Sequence, residues 1–454
     1  MVDDLDLGVR WLRRDAGKAV SEGLPGVHVR ADRRLRTLLH GAMAGSPFYA
    51  ELYRGMDPDT VRLADVPRTD KALLMSQFDA WATDRRVTSA AVGEFTRDDS
   101  AAGQRFLGDY LLSETSGTSG TTGAFVTEDT AVAVVLALRS RAARVGPRTV
   151  LQTVGKRGRT AMVINVRGHH LGRAFFLREN TVGRNSRILS VADPIEQICR
   201  DLNEFDPAVL NSYGSALQLL AHEQIAGRLH IEPAIVMPYG ETITAAALTM
   251  LRTAWPRARV IDRYAANECM FMAIRCAGGL YHLNADWVIL EPVDAQGRPT
   301  PLGEQSHGVL LTNLFRRVQP VIRYELGDSI RMTGRSCGCG NPLPAFEVSG
   351  RTGEIMYFET DGREHGVSPT ALQPAIDPAA GITQFQVIRE NPRHLSLRLR
   401  TDPAADRAVI AETTRQSLAD IVTGLGLHDV LVTVSDQLPE QTRGGKYLTV
   451  VDRG

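Results

Sequence analysis

Between Ser113 and Phe125 the chain reads SETSGTSGTTGAF, with seven serines or threonines and three glycines. Two readings fit such a run. Gly/Ser-rich segments are flexible linkers by composition. The same residue types also build a loop whose backbone N–H groups and hydroxyls wrap a phosphate, glycine allowing close approach of the backbone. A second grouping is Cys276, His282, Cys337 and Cys339. Three thiols and an imidazole suit a closed, tetrahedral zinc site; the alternative is three unrelated reduced cysteines, a residue type that is often simply buried. The remaining two, Cys199 and Cys269, have no partner in the sequence and read as packing residues. Lysine is a third signal. Of 52 basic residues only Lys18, Lys71, Lys156 and Lys446 are lysine, so each stands out in a chain that otherwise writes arginine, and Lys446 follows Gly444-Gly445. His169-His170 could be a metal or general-base pair, or a structural histidine.

The whole chain bounds these readings. Its 454 residues suit two or three domains. A formal net charge of zero gives no broad electrostatic case for nucleic acid or an anionic membrane. The start, MVDDLDLGVRW, lacks the apolar core of a signal peptide, and no stretch approaches the apolar length of a membrane span. Five cysteines, an odd number, argue against a disulfide framework. The expected compartment is the cytoplasm.

The elements that must position these residues can be read from periodicity. Residues 5–55 read as helical, with Asp32 capping one segment and Ser46-Pro47 opening another. Asp129 to Arg144 reads as a helix. From 149 to 230, apolar runs (TVLQTV, AMVINV, SRILSV, AVLNSY) alternate with helical patterns, which predicts βαβ units on a parallel sheet. IVMPYGE and RVIDRYAANE each end an apolar strand in a polar turn. Open α/β sheets bind ligands at such carboxyl ends. Residues 280–360 predict an antiparallel β subdomain, and the tail predicts two strands, a helix over 406–423 and a further strand.

Four ordered motifs then form a pattern: TSGTSG at 115–120, YAANE at 264–268, YELGD at 324–328 and GGK at 444–446. With SPFYAELY, VPRTDK, DPAVLNSYGSALQLLA, PYGETI and GRTGE they cover most of the chain, which resembles the adenylate-forming superfamily, closest to its phenylacetate–CoA ligase branch. The fold this implies is α/β: a large N-terminal domain (1–350) of βαβ sheets plus a β subdomain, and a small mobile C-terminal α+β domain (351–454). The implied activity is Mg-ATP-dependent conversion of a small or aromatic carboxylic acid to an acyl-adenylate, followed by thioester formation with CoA.

The resemblance assigns roles residue by residue. Thr115, Ser116, Gly117, Thr118, Ser119, Gly120 and Thr121 would cradle phosphates, with Gly240 and Glu241 also on the nucleotide. Glu268 would hold Mg²⁺, Tyr264 would line the adenine and acyl sites, Asp328 would bind the ribose hydroxyls, and Arg351 would sit on the ribose and phosphate side. Lys446 would contact the carboxylate and α-phosphate during adenylation. His169, Tyr213, Tyr239 and Ala265 fall in segments resembling the acyl-pocket walls. The cysteine-rich insertion of the branch reinforces the zinc reading.

Departures are equally specific. Thr121-Thr122 stands where the resemblance implies Lys-Pro, so the loop carries no cation, and Ala265-Ala266 replaces Gly and a small hydroxyl residue. Gly353-Glu354 leaves the hinge residue open. The edits keep an amine or a carrier protein open as alternative acceptors. They also leave open a nucleotide-binding regulator without turnover and a zinc-organised interaction module. A homodimer is an open possibility of assembly.

Overall fold

A computed structural model describes residues 4–115, 123–142, 146–166, 168–179, 185–191, 193–241, 243, 245–334, 337–351, 356–360, 363–367, 372, 375–376, 381–440 and 448–453. The first part is helical. It comprises α1 (Gly8–Ser21), α2 (Gly23–Gly45), α3 (Pro47–Leu52), α4 (Lys71–Ser76), α5 (Phe78–Trp81) and α6 (Ser89–Thr96). Ser46 caps α3 by accepting the Tyr49 N–H at 3.3 Å, and Pro47 fills the first turn, where no donor is needed. Asp32 is not a cap: it lies inside α2, which begins nine residues earlier at Gly23. Buried Arg34 on α2 explains why the helix runs on. It donates to Asp4 at 2.9 Å, to Asp15 at 2.5 Å and to the Asp286 carbonyl at 2.8 Å, with its guanidinium 3.4 Å from the Trp287 ring centroid. These contacts tie the helices to the β subdomain. Removing one partner of such a buried network costs roughly 3–5 kcal/mol.

The hydroxyl-rich run joins an antiparallel pair, β1 (Tyr110–Glu114) and β2 (Ala124–Glu128), in which Glu114 faces Ala124. Helix α7 (Asp129–Ala142) follows and packs on α1. Next comes α8 (Pro147–Gly155), which corrects the strand expected for TVLQTV. Pro147 is suited to a helical first turn, and Val150, Leu151 and Val154 are exposed, so the apolar run has no sheet to enter.

The expected βαβ rhythm produces a parallel sheet. Its strands are β3 (Thr160–Ile164), β4 (Ser186–Ser190), β5 (Val209–Tyr213), β6 (Ile235–Tyr239) and β7 (Arg259–Val260), in spatial order β4-β3-β5-β6-β7. The accompanying helices are α9 (Leu171–Glu179), α10 (Ile195–Phe205), α11 (Gly214–Ile225) and α12 (Ala245–Ala254). Strand β3 pairs with both β4 and β5, so the strand order reverses there. Such a switch point leaves a crevice beyond the carboxyl ends of the strands.

RVIDRYAANE divides between two sheets. After β7, β8 (Arg263–Tyr264) joins an antiparallel sheet with β9 (Ala273–Arg275), β10 (Tyr281–Leu283), β14 (Asp328–Met332) and β15 (Ala345–Arg351), in the order β14-β15-β10-β9-β8. A second antiparallel sheet holds β11 (Val288–Val293), β12 (Gly308–Asn313) and β13 (Tyr324–Glu325). The helical part and the β subdomain share one hydrophobic core, and the parallel sheet has its own.

From Met356 to Val450 a third core gathers β16 (Met356–Thr360), β17 (Arg363–Val367) and the sheet β20-β19-β18-β21. The strands of that sheet are β18 (Ile382–Asn391), β19 (His394–Thr401), β20 (Leu431–Val434) and β21 (Val450–Asp452), with α13 (Arg407–Gly424) packed on it. Asp406 caps α13 through its side chain. His222 on α11 meets Asp402 at 3.0 Å, linking this sheet to the parallel one. The chain is therefore α/β with additional antiparallel sheets. Among the described residues no helix is long and apolar enough to cross a membrane.

Candidate functional site

The two acidic residues singled out in the sequence are each held by a buried tyrosine from the other's motif. Tyr264 Oη donates to Asp328 Oδ2 at 2.5 Å, and Tyr324 Oη donates to Glu268 Oε1 at 2.9 Å. All four side chains are buried. A carboxylate taken out of water needs such donors. Position 351 is also brought in, because Arg351 pairs with Asp328 in the register of β15 with β14. The turn between Tyr264 and Cys269 is closed by reciprocal Ala266–Cys269 backbone bonds. Burial pushes the Cys269 thiol up to about 12, which suits a packing residue rather than a nucleophile.

Arg316, fully buried, connects this turn to the hydroxyl-rich hairpin. It donates to the Asn267 carbonyl and to the Val126 carbonyl on β2, each at 2.8 Å. Asn313 adds a bond of 2.9 Å to the Glu268 carbonyl. The hairpin connection is pinned at its base. Thr115 N donates to the Gly123 carbonyl at 2.8 Å, and Gly123 N donates to Thr115 Oγ1 at 2.8 Å. Of the phosphate-loop residues read from the sequence, Thr115 is placed; Ser116, Gly117, Thr118, Ser119, Gly120 and Thr121 lie outside the described residues, as does Lys446.

At the carboxyl ends of β5 and β6, Tyr213 and Tyr239 are register partners whose ring centroids lie 5.0 Å apart. Burial raises the phenol pKa of both. Gly172 on α9 makes room for Tyr239, since a Cβ there would come within 2.8 Å of its ring. Glu241 accepts from the Ser215 N–H at 2.7 Å and from its hydroxyl at 3.1 Å, anchoring the α11 N-terminus. Gly240 takes a φ of +74°, a conformation glycine adopts without strain. Tyr213, Tyr239, Gly240 and Glu241 thus stand at the carboxyl ends of β5 and β6.

His169 packs elsewhere. Its ring lies 5.4 Å from that of Phe95, its Nε2 is 3.0 Å from the Asp98 carbonyl, and its Nδ1 has no partner among the described residues. Burial is the main cause of its lowered pKa. Ala265 is exposed. A separate cleft lined by Val66, Arg68, Glu291, Thr300 and Arg323 takes Val66 and Arg68 from the VPRTDK segment but contains none of the candidate site residues.

The thiol–imidazole group assembles as the spacing suggested. The Cys276, Cys337 and Cys339 sulfurs and a His282 ring nitrogen all lie within 4.8 Å of one another, and this is the metal-competent cluster among the described residues. Cys276 Sγ is 3.3 Å from Cys337 Sγ, and Cys339 Sγ is 3.3 Å from His282 Nε2. His282 Nδ1 lies 3.0 Å from the Leu343 carbonyl. Donation there leaves the Nε2 lone pair facing the thiols, which is the tautomer a metal ligand needs. Burial holds the imidazole pKa down, which favours the neutral form. The donor set fits zinc.

Three contributors were not singled out in the sequence: Arg316, Asn313 and the Tyr324 hydroxyl. Arg316 sits in an LFRRVQ run that reads as surface, and only its burial reveals it. Tyr324 was legible as part of YELGD, but its partner was not.

A parallel βαβ sheet, antiparallel β subdomains and a C-terminal α+β unit make up the adenylate-forming ligase fold, and this chain has it. A 2-hydroxyisobutyryl-CoA ligase in the postadenylation state matches with a TM-score of 0.68 at 19% identity, over 93% of this chain and 89% of that one. The same ligase in an open conformation with 2-HIB-AMP and CoA gives 0.55 at 18% identity, over 93% and 91%. In its thioesterification state it gives 0.52 at 19% identity, over 93% and 88%. No family model matches the chain, and no curated protein matches it in sequence.

Proposed function

We propose that the chain uses Mg-ATP to convert a carboxylic acid, aromatic or otherwise small, into an acyl-adenylate and then passes the acyl group to the thiol of CoA. The observation that carries this reading is the crossed pair Tyr264–Asp328 and Tyr324–Glu268 beside the base of the hydroxyl-rich hairpin, within an acyl-CoA ligase fold. In the first step a carboxylate oxygen attacks the α-phosphorus and the bond to the bridging oxygen of pyrophosphate breaks. In the second the thiolate attacks the acyl carbonyl and AMP leaves.

Each residue has a defined task. Asp328 accepts from the ribose hydroxyls, and Tyr264 fixes the orientation of its carboxylate. Residues 115–121 present amides and hydroxyls to the phosphates. Gly240 and Glu241 flank the adenine, and Arg351 faces the ribose and phosphates. Glu268 is a hard oxygen ligand of the kind Mg²⁺ takes together with phosphate oxygens, and the metal supplies charge neutralisation on the phosphates. Lys446 brings a compact cation to the carboxylate and α-phosphate. The Tyr213–Tyr239 wall favours a flat or small acyl group, with His169 and Ala265 more remote contributors.

The separate core from Met356 to Val450 supports a C-terminal domain (351–454) that moves relative to residues 1–350 between the two steps. Cys276, His282, Cys337 and Cys339 hold a structural zinc. We place the protein in the cytoplasm.

The test is a pyrophosphate-release screen over aryl, alkenyl and amino acids, with and without CoA and with candidate amines. Acid-dependent release establishes adenylation, and the thioester or amide formed identifies the acceptor. Absence of release with every acid, in protein that binds ATP, would overturn the catalytic reading.

A further inference from the structure

The chain reversal between β12 and β13 carries Arg316, Arg317 and Gln319, yet it is laid into the core rather than left on the surface. A bond of 2.9 Å from Asn313 N to the Val321 carbonyl closes it. Strand β2 holds one side: Val126 N donates to Gln319 Oε1 at 2.6 Å, and Arg317 N donates to Glu128 Oε1 at 2.5 Å. The helical part holds another, where Trp81 Nε1 and Tyr49 Oη donate to the Pro320 carbonyl at 2.7 and 3.0 Å. The backbone that carries Arg316 is therefore fixed from two directions.

A guanidinium in that position destabilises the core that contains it. Arg316 is 1% exposed, and burial lowers its pKa against the opposing pull of Glu128 and then Glu268. Its Nε, Glu128 Oε2 and Asn267 Oδ1 are all buried with no partner among the described residues. An apolar side chain of similar volume would pack there without leaving polar atoms unsatisfied. What the arginine does supply is a two-pronged reach. Nη1 donates to the Asn267 carbonyl at 2.8 Å and lies 3.5 Å from that of Glu268. Nη2 donates to the Val126 carbonyl at 2.8 Å and to Thr127 Oγ1 at 3.2 Å. Asn313, at the end of β12, adds its Nδ2 bond to the Glu268 carbonyl at 2.9 Å. Tyr324 orients the Glu268 side chain; these donors fix the backbone from which it projects.

We infer that Arg316, seconded by Asn313, is a positioning residue of the adenylation step, locking the Asn267–Glu268 backbone to β2 so that the Glu268 carboxylate is preset for the magnesium-bound nucleotide. This rests on the adenylating reading. Arg316 acts through Glu268, since its Nη donors are taken up by protein oxygens. A planar fork spans two elements at once, which the single ammonium of lysine does not.

The test is calorimetric binding of AMP, of ATP with Mg²⁺ and of ATP in EDTA, for the full chain and for Arg316→Lys, which keeps the charge and loses the fork. Arg316→Lys is expected to lose about 10-fold in ATP affinity with Mg²⁺, as loss of an outer support of a metal ligand does. AMP and metal-free ATP, which do not engage Glu268 through a metal, should bind as in the wild type. Unchanged affinity for ATP with Mg²⁺ in a folded variant would overturn the inference while leaving the ligase reading standing. Equal loss for all three ligands would also overturn it, assigning Arg316 a structural role alone. Wild-type ATP affinity indifferent to Mg²⁺ would overturn it by taking the metal off Glu268. If Arg316→Lys does not fold, Asn313→Ala, which removes the other bond to the Glu268 carbonyl, is read by the same criteria. Failure of the wild type to bind either nucleotide would remove the ligase reading, and the inference with it.

Discussion

Replacing Tyr324 by Phe removes one oxygen and tests whether Glu268 is a positioned ligand or a buried ornament of the turn. The phenol donates to Glu268 Oε1 at 2.9 Å, with Tyr324 only 2% exposed and Glu268 8%. Water cannot readily replace the lost donor. A hydrogen bond to a charged group contributes about 1.5–3 kcal/mol, and a buried acceptor left short of a partner costs a similar amount. If that energy is spent on aligning the carboxylate for the Mg-nucleotide, kcat/KM for Mg-ATP should fall about 10- to 100-fold at 1.4 kcal/mol per decade. The Mg²⁺ concentration giving half-maximal pyrophosphate release should rise with it. The ring stays, so the shared core around Tyr324 should remain packed. The assay is pyrophosphate release with the best acid from the screen, titrated in Mg²⁺, beside a thermal melt. A folded variant whose kcat/KM and Mg²⁺ midpoint stay within twofold of wild type would refute both the positioning argument and the role given to Glu268.

Lys446→Ala should lose about 100- to 1,000-fold in acid-dependent ATP–pyrophosphate exchange while its melting curve is retained; unchanged exchange removes Lys446 from the chemistry. Metal analysis of purified protein should find about one zinc per chain, and Cys337→Ser should lose it together with thermal stability. Zinc-free protein indifferent to chelators would dispose of the site. His169 supplies a pH signature. Burial lowers its folded pKa, so the unfolded chain takes up the proton first, and stability should decline as pH falls below about 6.5. The stability gap between wild type and His169→Gln should accordingly narrow between pH 7 and 5; a constant gap would show that His169 does not titrate in that window.

Local signals carried the sequence reading where they were strong, and failed where burial decides. Ser46-Pro47 and Asp406 cap helices through donors and acceptors within three residues, so their sequence suffices. The parallel strands were legible because each is a short apolar run between helical segments. TVLQTV misled because its β-branched pattern fits a strand, whereas Pro147 and the lack of a neighbouring strand edge make it a helix. Asp32 misled because a cap-like residue inside a longer helix looks the same in sequence. The motif residues were found, but their pairings were not. Tyr264 with Asp328 and Tyr324 with Glu268 are contacts across 64 and 56 residues, and no spacing rule encodes them.

Those pairings change the argument about the missing loop cation. Two carboxylates, Glu268 and Asp328, are buried close to the strands that frame the hairpin base, and both add negative charge to a site proposed for a polyanion. Like charges brought together in a low-dielectric setting repel strongly. Tyrosine donors can orient the carboxylates but cannot neutralise them. A site of this composition binds a triphosphate only with cations supplied from outside the loop, which is the part the proposed function gives to Arg351, Lys446 and a magnesium ion. The hydroxyl-rich loop needs no charge of its own in such a site.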